Sequence, residues 1–238
     1  MNIPLLILII TAASFVQSAA GYGFSMVALS LMTFFLPMRT GSVIAVLAML
    51  PLTLYITLRH ARKVNWRIFL IPFITSSIAT LLGVRLLLVA DNTLLLKILG
   101  GVLVLLSLFT IFAGSNLRIT PTIPVQLSFG VVSGILSGLF TMGGPPIAIY
   151  MLAATADKEE YNSTLQTFFL FATVVAILTH LFYGNITREA LVYSAYALIG
   201  VAVGTALGLA FLKRLSNDKV RKLVYGVMLV MGVVLLLK

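Results

Sequence analysis

The chain has 238 residues, of which 61% are hydrophobic and 9% charged, and its mean hydropathy is +1.14. Soluble domains carry roughly 25% charged residues, so this chain cannot cover its own apolar surface in water, and the composition predicts an all-α membrane protein with lipid as its outer solvent. The net charge of +10 comes from Lys and Arg set mostly in short loops between apolar runs, an orientation signal rather than a nucleic-acid surface; the absence of cysteine excludes disulfides, thiolate metal sites and a cysteine nucleophile.

The opening Met1-Asn2-Ile3-Pro4 has no basic segment ahead of its apolar run, so no cleavable signal peptide is expected. A membrane-crossing helix needs about 20 apolar residues. Residues 3–38 form an apolar run well beyond that length, interrupted by Gly21-Tyr22-Gly23. Runs of ordinary length follow at 40–58, 68–90 and 94–113. A second long run, 122–156, is interrupted by Gly143-Gly144-Pro145-Pro146, and ordinary runs at 163–183, 190–212 and 220–237 complete the chain. Glycine adds backbone freedom and proline deletes a helical hydrogen bond, so both long runs are expected to break. Broken backbone is tolerated at membrane depth only where it faces protein or a watery cavity, which places both breaks inside the bundle.

The second part of the chain echoes the first. Gly83-Val84-Arg85-Leu86 corresponds to Gly208-Leu209-Ala210-Phe211, Asn92 to Asn217 and Lys97 to Lys222, and at nearly the same offset Gly23 falls on Gly144. The reading is two homologous halves, residues 1–118 and 119–238, each a broken helical hairpin followed by three transmembrane helices.

Charge counting decides how the long runs cross. If each crosses once, the 16 Lys and Arg divide seven against nine and show no bias. If each goes in and returns, Arg59–Arg67, Arg118, Lys158 and Lys213–Lys222 fall on one side and the division is eleven against five. Cytoplasmic loops are enriched in Lys and Arg, so the returning arrangement is expected, with the halves inverted relative to one another as in many secondary transporters. Each hairpin arm then has about 17 residues, slightly short of a full crossing.

After each break a new helix begins, near Phe24-Ser25 and at Pro145-Pro146. A helix start presents unpaired N–H groups and a partial positive charge, and so binds anions without a charged side chain. The substrate-binding candidates are therefore Gln17, Gly21, Tyr22, Gly23 and Ser25 at the first break, Thr141, Gly143, Gly144 and Pro145 at the second, and Gln166 early in the next helix. The rows Gly130/Gly134/Gly138 and Gly200/Gly204/Gly208 read as close helix-packing faces. All six acids, Asp91, Asp157, Glu159, Glu160, Glu189 and Asp218, sit at or near loops, so neither a carboxylate proton relay nor a cation site is expected at mid-membrane. Arg85 is close enough to Asp91 for its side chain to reach the interface. No metal site, cofactor or enzymatic centre is expected; the partners are a small anion and the lipid bilayer, with homo-oligomerisation left open.

The motifs Ala20-Gly21-Tyr22-Gly23-Phe24 and Gly138-Leu139-Phe140-Thr141-Met142-Gly143-Gly144-Pro145-Pro146, with the loop-plus-helix pattern from Val64-Asn65-Trp66 to Gly83 and its echo from Ile186 to Gly208, span the whole chain. Together they resemble the sulfite exporter TauE/SafE family of bacterial permeases. The resemblance implies a multi-pass protein of the bacterial inner membrane that exports or takes up sulfur-containing anions such as sulfite, sulfoacetate or other organosulfonates; the reading adopted is a secondary transporter acting as an exporter. The alternative is a passive anion channel or a permease for other small organic anions. Gly-Gly-Pro-Pro stands here where many relatives carry a third glycine, which leaves the particular anion open.

Overall fold

Each ordinary apolar run becomes one long helix and each interrupted run becomes two. The computed structural model describes residues 2–60, 62–113, 119–211 and 217–237. In chain order the helices are α1 (Ile3–Ala20), α2 (Phe24–Met32), α3 (Met38–His60), α4 (Trp66–Val89), α5 (Asn92–Ala113), α6 (Ile123–Phe140), α7 (Gly144–Ala154), α8 (Lys158–Phe182), α9 (Arg188–Phe211) and α10 (Asn217–Leu237). Among the described residues there is no strand, and seven helices have the length and apolarity of a membrane span. Large apolar side chains such as Leu58, Val89 and Phe182 point outward, as a lipid-facing surface requires. The expected boundary between halves at residue 118, and the cations Arg118, Lys213 and Arg214, lie outside the described residues.

The hairpins differ from the expectation in one respect. Their first arms have 18 residues, but the returning arms α2 and α7 have only 9 and 11. At ~1.5 Å per residue a return arm covers about half of the ~30 Å hydrocarbon core. Each hairpin is thus one long helix and one half-length helix. The return itself is plain in α6 and α7: the Ser133 hydroxyl donates to the Gly143 carbonyl at 2.8 Å, and the rings of Phe129 and Tyr150 pack 5.6 Å apart.

Contacts at the helix ends choose between the two crossing schemes. Lys63 pairs with Glu159 at 2.8 Å, the Lys63 amide donates to the Ser163 hydroxyl at 3.3 Å, and the Asn65 amide donates to the Thr164 hydroxyl at 3.0 Å. The α3–α4 loop and the start of α8 therefore share one end of the bundle. Single crossings of the long runs would put them at opposite ends. At the other end of α4, Arg39 donates to the Leu87 and Leu88 carbonyls, and Asn92 accepts the Met38 amide at 3.1 Å. By the enrichment of Lys and Arg in cytoplasmic loops, the Arg59–Arg67 end is expected on the cytoplasmic side. The chain has no cysteine of its own, so introduced ones report cleanly. In intact cells a membrane-impermeant maleimide is expected to label Arg188→Cys and spare Arg62→Cys; the opposite pattern reverses the orientation.

Glycine rows set the partnerships. A Cβ on Gly130 would lie 2.8 Å from the Pro72 carbonyl, one on Gly134 2.3 Å from the Ser76 carbonyl, and one on Gly138 2.5 Å from the Thr80 carbonyl. α6 and α4 therefore run side by side in the same direction at backbone contact. In the same way Gly200, Gly204 and Gly208 of α9 meet Ile7, Thr11 and Phe15 of α1. Small residues permit this approach where lipid removes any hydrophobic drive between helices. The principal pairings of α1–α5 have counterparts in α6–α10: α4 packs on α6 and α8 as α9 packs on α1 and α3, while α5 pairs with α10 and α3 with α8.

Candidate functional site

The chain leaves α1 through two left-handed residues, Gly21 (φ 88°) and Gly23 (φ 113°), a conformation open to glycine without steric cost. Gln17 spans this break. Its Oε1 accepts the Phe24 amide at 3.1 Å, and its Nε2 donates to the Gly21 carbonyl at 3.4 Å. The first amide of α2 is thereby satisfied from within the chain, so Gln17 holds the break and leaves the following amides, Ser25 and Met26, as the free end of that helix.

α6 ends differently. Thr141 sits at φ 56°, the single non-glycine residue at positive φ among those described, and a β-branched side chain there stores strain. Its amide donates to the Ser137 carbonyl at 2.8 Å and that of Met142 to the Leu136 carbonyl at 3.1 Å, which closes the end of α6. α7 then starts at Gly144. Pro145 and Pro146 have no N–H to offer, so the free amides at this start are those of Gly143 and Gly144.

The two breaks meet. A Cβ on Gly144 would lie 3.9 Å from Tyr22 Cβ and 3.3 Å from Phe169 Cζ. Gln166 Nε2 donates to the Gly21 carbonyl at 2.9 Å, so α8 reaches across to the first break. Two adjoining cavities of about 20 Å³ each lie here, sharing Met49, Thr141, Gly144 and Phe169 as walls. Each has room for about one water-sized group. Gln17, Tyr22, Gly23, Ser25 and Pro145 also line the first cavity, and Gly143, Ser133, Ser137 and Thr173 contribute to the second. Of the ten predicted residues, seven therefore line the first cavity and Gly143 lines the second, while Gly21 and Gln166 form the bonded edge beside them.

No charged side chain lines either cavity. The polar groups present are hydroxyls and amides, with Gln17, Ser25 and Gln166 almost fully buried. Such a lining stabilises negative charge by oriented dipoles and holds it without a counter-ion. Several wall residues carried no signal in the sequence. Met49, 3.9 Å from the Ser25 hydroxyl through its sulfur, and Phe169 look like any core residue of α3 and α8. Ser133 and Thr173 look like packing residues. Their place at the cavities depends on which helix faces which.

The family described as sulfite exporter TauE/SafE matches residues 6–235 of the chain. A protein of Cupriavidus necator named "Probable sulfite/organosulfonate exporter TauE" is 25% identical over 238 residues, covering 95% of this chain and 90% of that protein. No solved structure matches the chain.

Proposed function

From the premise that the chain belongs to the sulfite exporter TauE/SafE family, we propose that it is a secondary transporter exporting small sulfur-bearing oxyanions, sulfite or an organosulfonate such as sulfoacetate, across the bacterial inner membrane. The observation that carries this reading is the meeting of Gly144 with Tyr22, which gathers two helix starts around one pair of uncharged cavities. A sulfite or sulfonate head carries several oxygens over which its charge is spread. A ring of amide and hydroxyl donors can contact more than one of them at once, whereas a single cation makes a point contact. The name of the Cupriavidus necator relative agrees with this substrate class.

Alternating access is the proposed mechanism, with the two halves inverted about the site. The correspondence of the principal helix pairings between α1–α5 and α6–α10 supports it. So does the spacing of helix starts: Ile3, Phe24 and Met38 are followed 120 residues later by Ile123, Gly144 and Lys158. Cavities of only about 20 Å³ each suit a carrier better than a continuous open channel.

The test is a ligand panel of sulfite, sulfoacetate, taurine and acetate on the purified protein, read as a rise in melting temperature, followed by counterflow in proteoliposomes. Sulfite or sulfoacetate is expected to stabilise the protein and to show trans-stimulated flux. Loss of one hydrogen bond to a charged ligand costs about 1.5–3 kcal/mol, so Ser25→Ala and Thr141→Ala should each weaken binding by roughly ten- to a hundredfold while melting as the wild type does without ligand. Flux without trans-stimulation would replace the carrier by a channel. The absence of any anion-dependent shift or flux would remove the anion site.

A further inference from the structure

A second cavity system lies at the Arg59–Arg67 end of the bundle, away from the breaks. It is a surface pocket of about 440 Å³ lined by Arg59, Arg62, Lys158, Glu159 and Asn162. Both halves contribute, through the end of α3 and the start of α8. The acids around it are already engaged. Glu159 pairs with Lys63 at 2.8 Å. Asp157 accepts the amides of Glu160 and Glu159 at 2.8 Å each, bonds that hold its carboxyl below the usual carboxylate range. Glu160 accepts from the Asn65 side chain and from the Ala156 amide. Arg59, Arg62 and Lys158 have no ion-pair partner among the described residues, and Arg59 is held over the Tyr55 ring at 4.7 Å. The pocket is therefore a concave surface whose wall carries three cations, while the one acid in that wall, Glu159, is already paired with Lys63.

Its position relative to the breaks gives it a use. On α8, Asn162 in the pocket, then Gln166, Phe169 and Thr173 follow one another at three- and four-residue steps and so share one face. Gln166 bonds the first break, and Phe169 and Thr173 wall the cavities. On α3, Met49 and Thr57 are eight residues apart on the corresponding face. Met49 walls both cavities, and the Thr57 hydroxyl donates to the Gln166 carbonyl at 2.9 Å. From Asn162 to Phe169 is seven residues, about 10 Å along the axis at ~1.5 Å per residue. The seam between α3 and α8 thus leads from the basic pocket to the break cavities, and at Gln166 and Thr57 it is closed.

We propose that this pocket is the collection vestibule for the transported oxyanion on the face from which it is exported: Arg59, Arg62 and Lys158 concentrate the anion at the mouth of the α3–α8 seam before it passes Gln166. This rests on the export function proposed above. Cations around a cleft raise local anion concentration and encounter rate by tenfold or more, an effect that salt screens away. They add little to the intrinsic affinity of a site two helical turns deeper.

The test is flux of the anion that the panel identifies, in oriented phosphatidylcholine vesicles, presented from each face over a range of ionic strength. For the triple variant Arg59→Gln/Arg62→Gln/Lys158→Gln, KM on the basic face is expected to rise about tenfold at low salt, with maximal rate and opposite-face KM unchanged. Wild-type KM on that face should climb with added potassium gluconate, and the variant's should stay level. Wild-type flux together with an unmoved variant KM overturns the vestibule and leaves the transport function standing. Absence of wild-type flux overturns both. A charge effect that vanishes in phosphatidylcholine and returns only with phosphatidylglycerol assigns the cations to a lipid headgroup and overturns the vestibule.

Discussion

Gly144→Leu is expected to yield a folded protein that neither binds nor moves an anion. At this residue the backbone is ordinary α-helix, so the loss does not come through conformational strain. A Cβ here would meet Phe169 Cζ at 3.3 Å, Phe169 Cε1 at 3.5 Å and Tyr22 Cβ at 3.9 Å. An alanine methyl is accommodated if the Phe169 ring moves by a few tenths of an ångström. Leucine adds three further carbons at the shared wall of two cavities that hold about 20 Å³ each. It fills the space between the helix starts and covers the Gly144 amide. Flux should fall by at least roughly a hundredfold, the loss of about two charge-assisted hydrogen bonds at ~1.5 kcal/mol each, and the anion-dependent rise in melting temperature should vanish. Gly144→Ala should retain most of the binding. The neighbouring glycine is the control for mere crowding. A Cβ on Gly143 would lie 2.7 Å from the Ser133 carbonyl, so Gly143→Ala strains the α6–α7 turn and should lower the melting temperature itself. Gly144→Leu transporting at the wild-type rate would move the site away from the breaks.

Much of this site was legible because its grammar is local. Gly21 and Gly23 at positive φ, and Gly143-Gly144-Pro145-Pro146 at the start of α7, are clusters whose backbone chemistry favours a break, whereas single prolines such as Pro51 and Pro72 lie within continuous helices. The length of the return arms was not legible. Residues 33–36 read as membrane span because they include Phe34, Phe35 and Leu36, yet the chain there forms tight turns: Phe34 donates to Leu31 and both Phe35 and Leu36 donate to Met32. Pro37 follows and disfavours helix before it. Apolarity reports burial or lipid, and helicity needs a separate signal.

Partnership was the other hidden quantity. The glycine row of α6 announces a close neighbour but does not say that the neighbour is α4. Gln17 announces a buried amide but does not say that its two ends serve Phe24 and Gly21 rather than a ligand. Met49 and Phe169 reach the cavities only because α3 and α8 cross beside the breaks. The loops were legible in charge but not in contact. Charge counting favoured the returning hairpins, and the Lys63–Glu159 pair supplied the geometric reason.

The same glycine rows lead to the prediction with the largest effect on stability. Gly204→Val should prevent a stable fold. A Cβ on Gly204 would lie 2.2 Å from the Thr11 carbonyl, 2.8 Å from Ser14 Cβ and 3.0 Å from the Phe15 amide nitrogen. Two of these three atoms belong to backbone, so no rotamer change relieves the clash, and α9 must separate from α1. In lipid that seam is held by close packing alone, because the tails are as apolar as the side chains they would replace. Overpacking a core typically costs 1–3 kcal/mol, occasionally more, and a helix pair with backbone on both sides belongs at the upper end. For a chain of this size each kcal/mol is worth roughly 2–4 °C, so a fall of at least about 6–12 °C is expected, or no monodisperse protein at all. The damage should spread to the site, because Gly208 packs on Phe15 and Ser18 on either side of Gln17. Gly101→Val supplies the comparison: a Cβ there meets nothing within 4 Å, and this variant should melt within a degree or two of wild type. Detergent-solubilised protein followed by size-exclusion after heating distinguishes the two. Gly204→Val melting with the wild type would mean that α1 and α9 are not in backbone contact, and the support of the first break would have to be sought elsewhere.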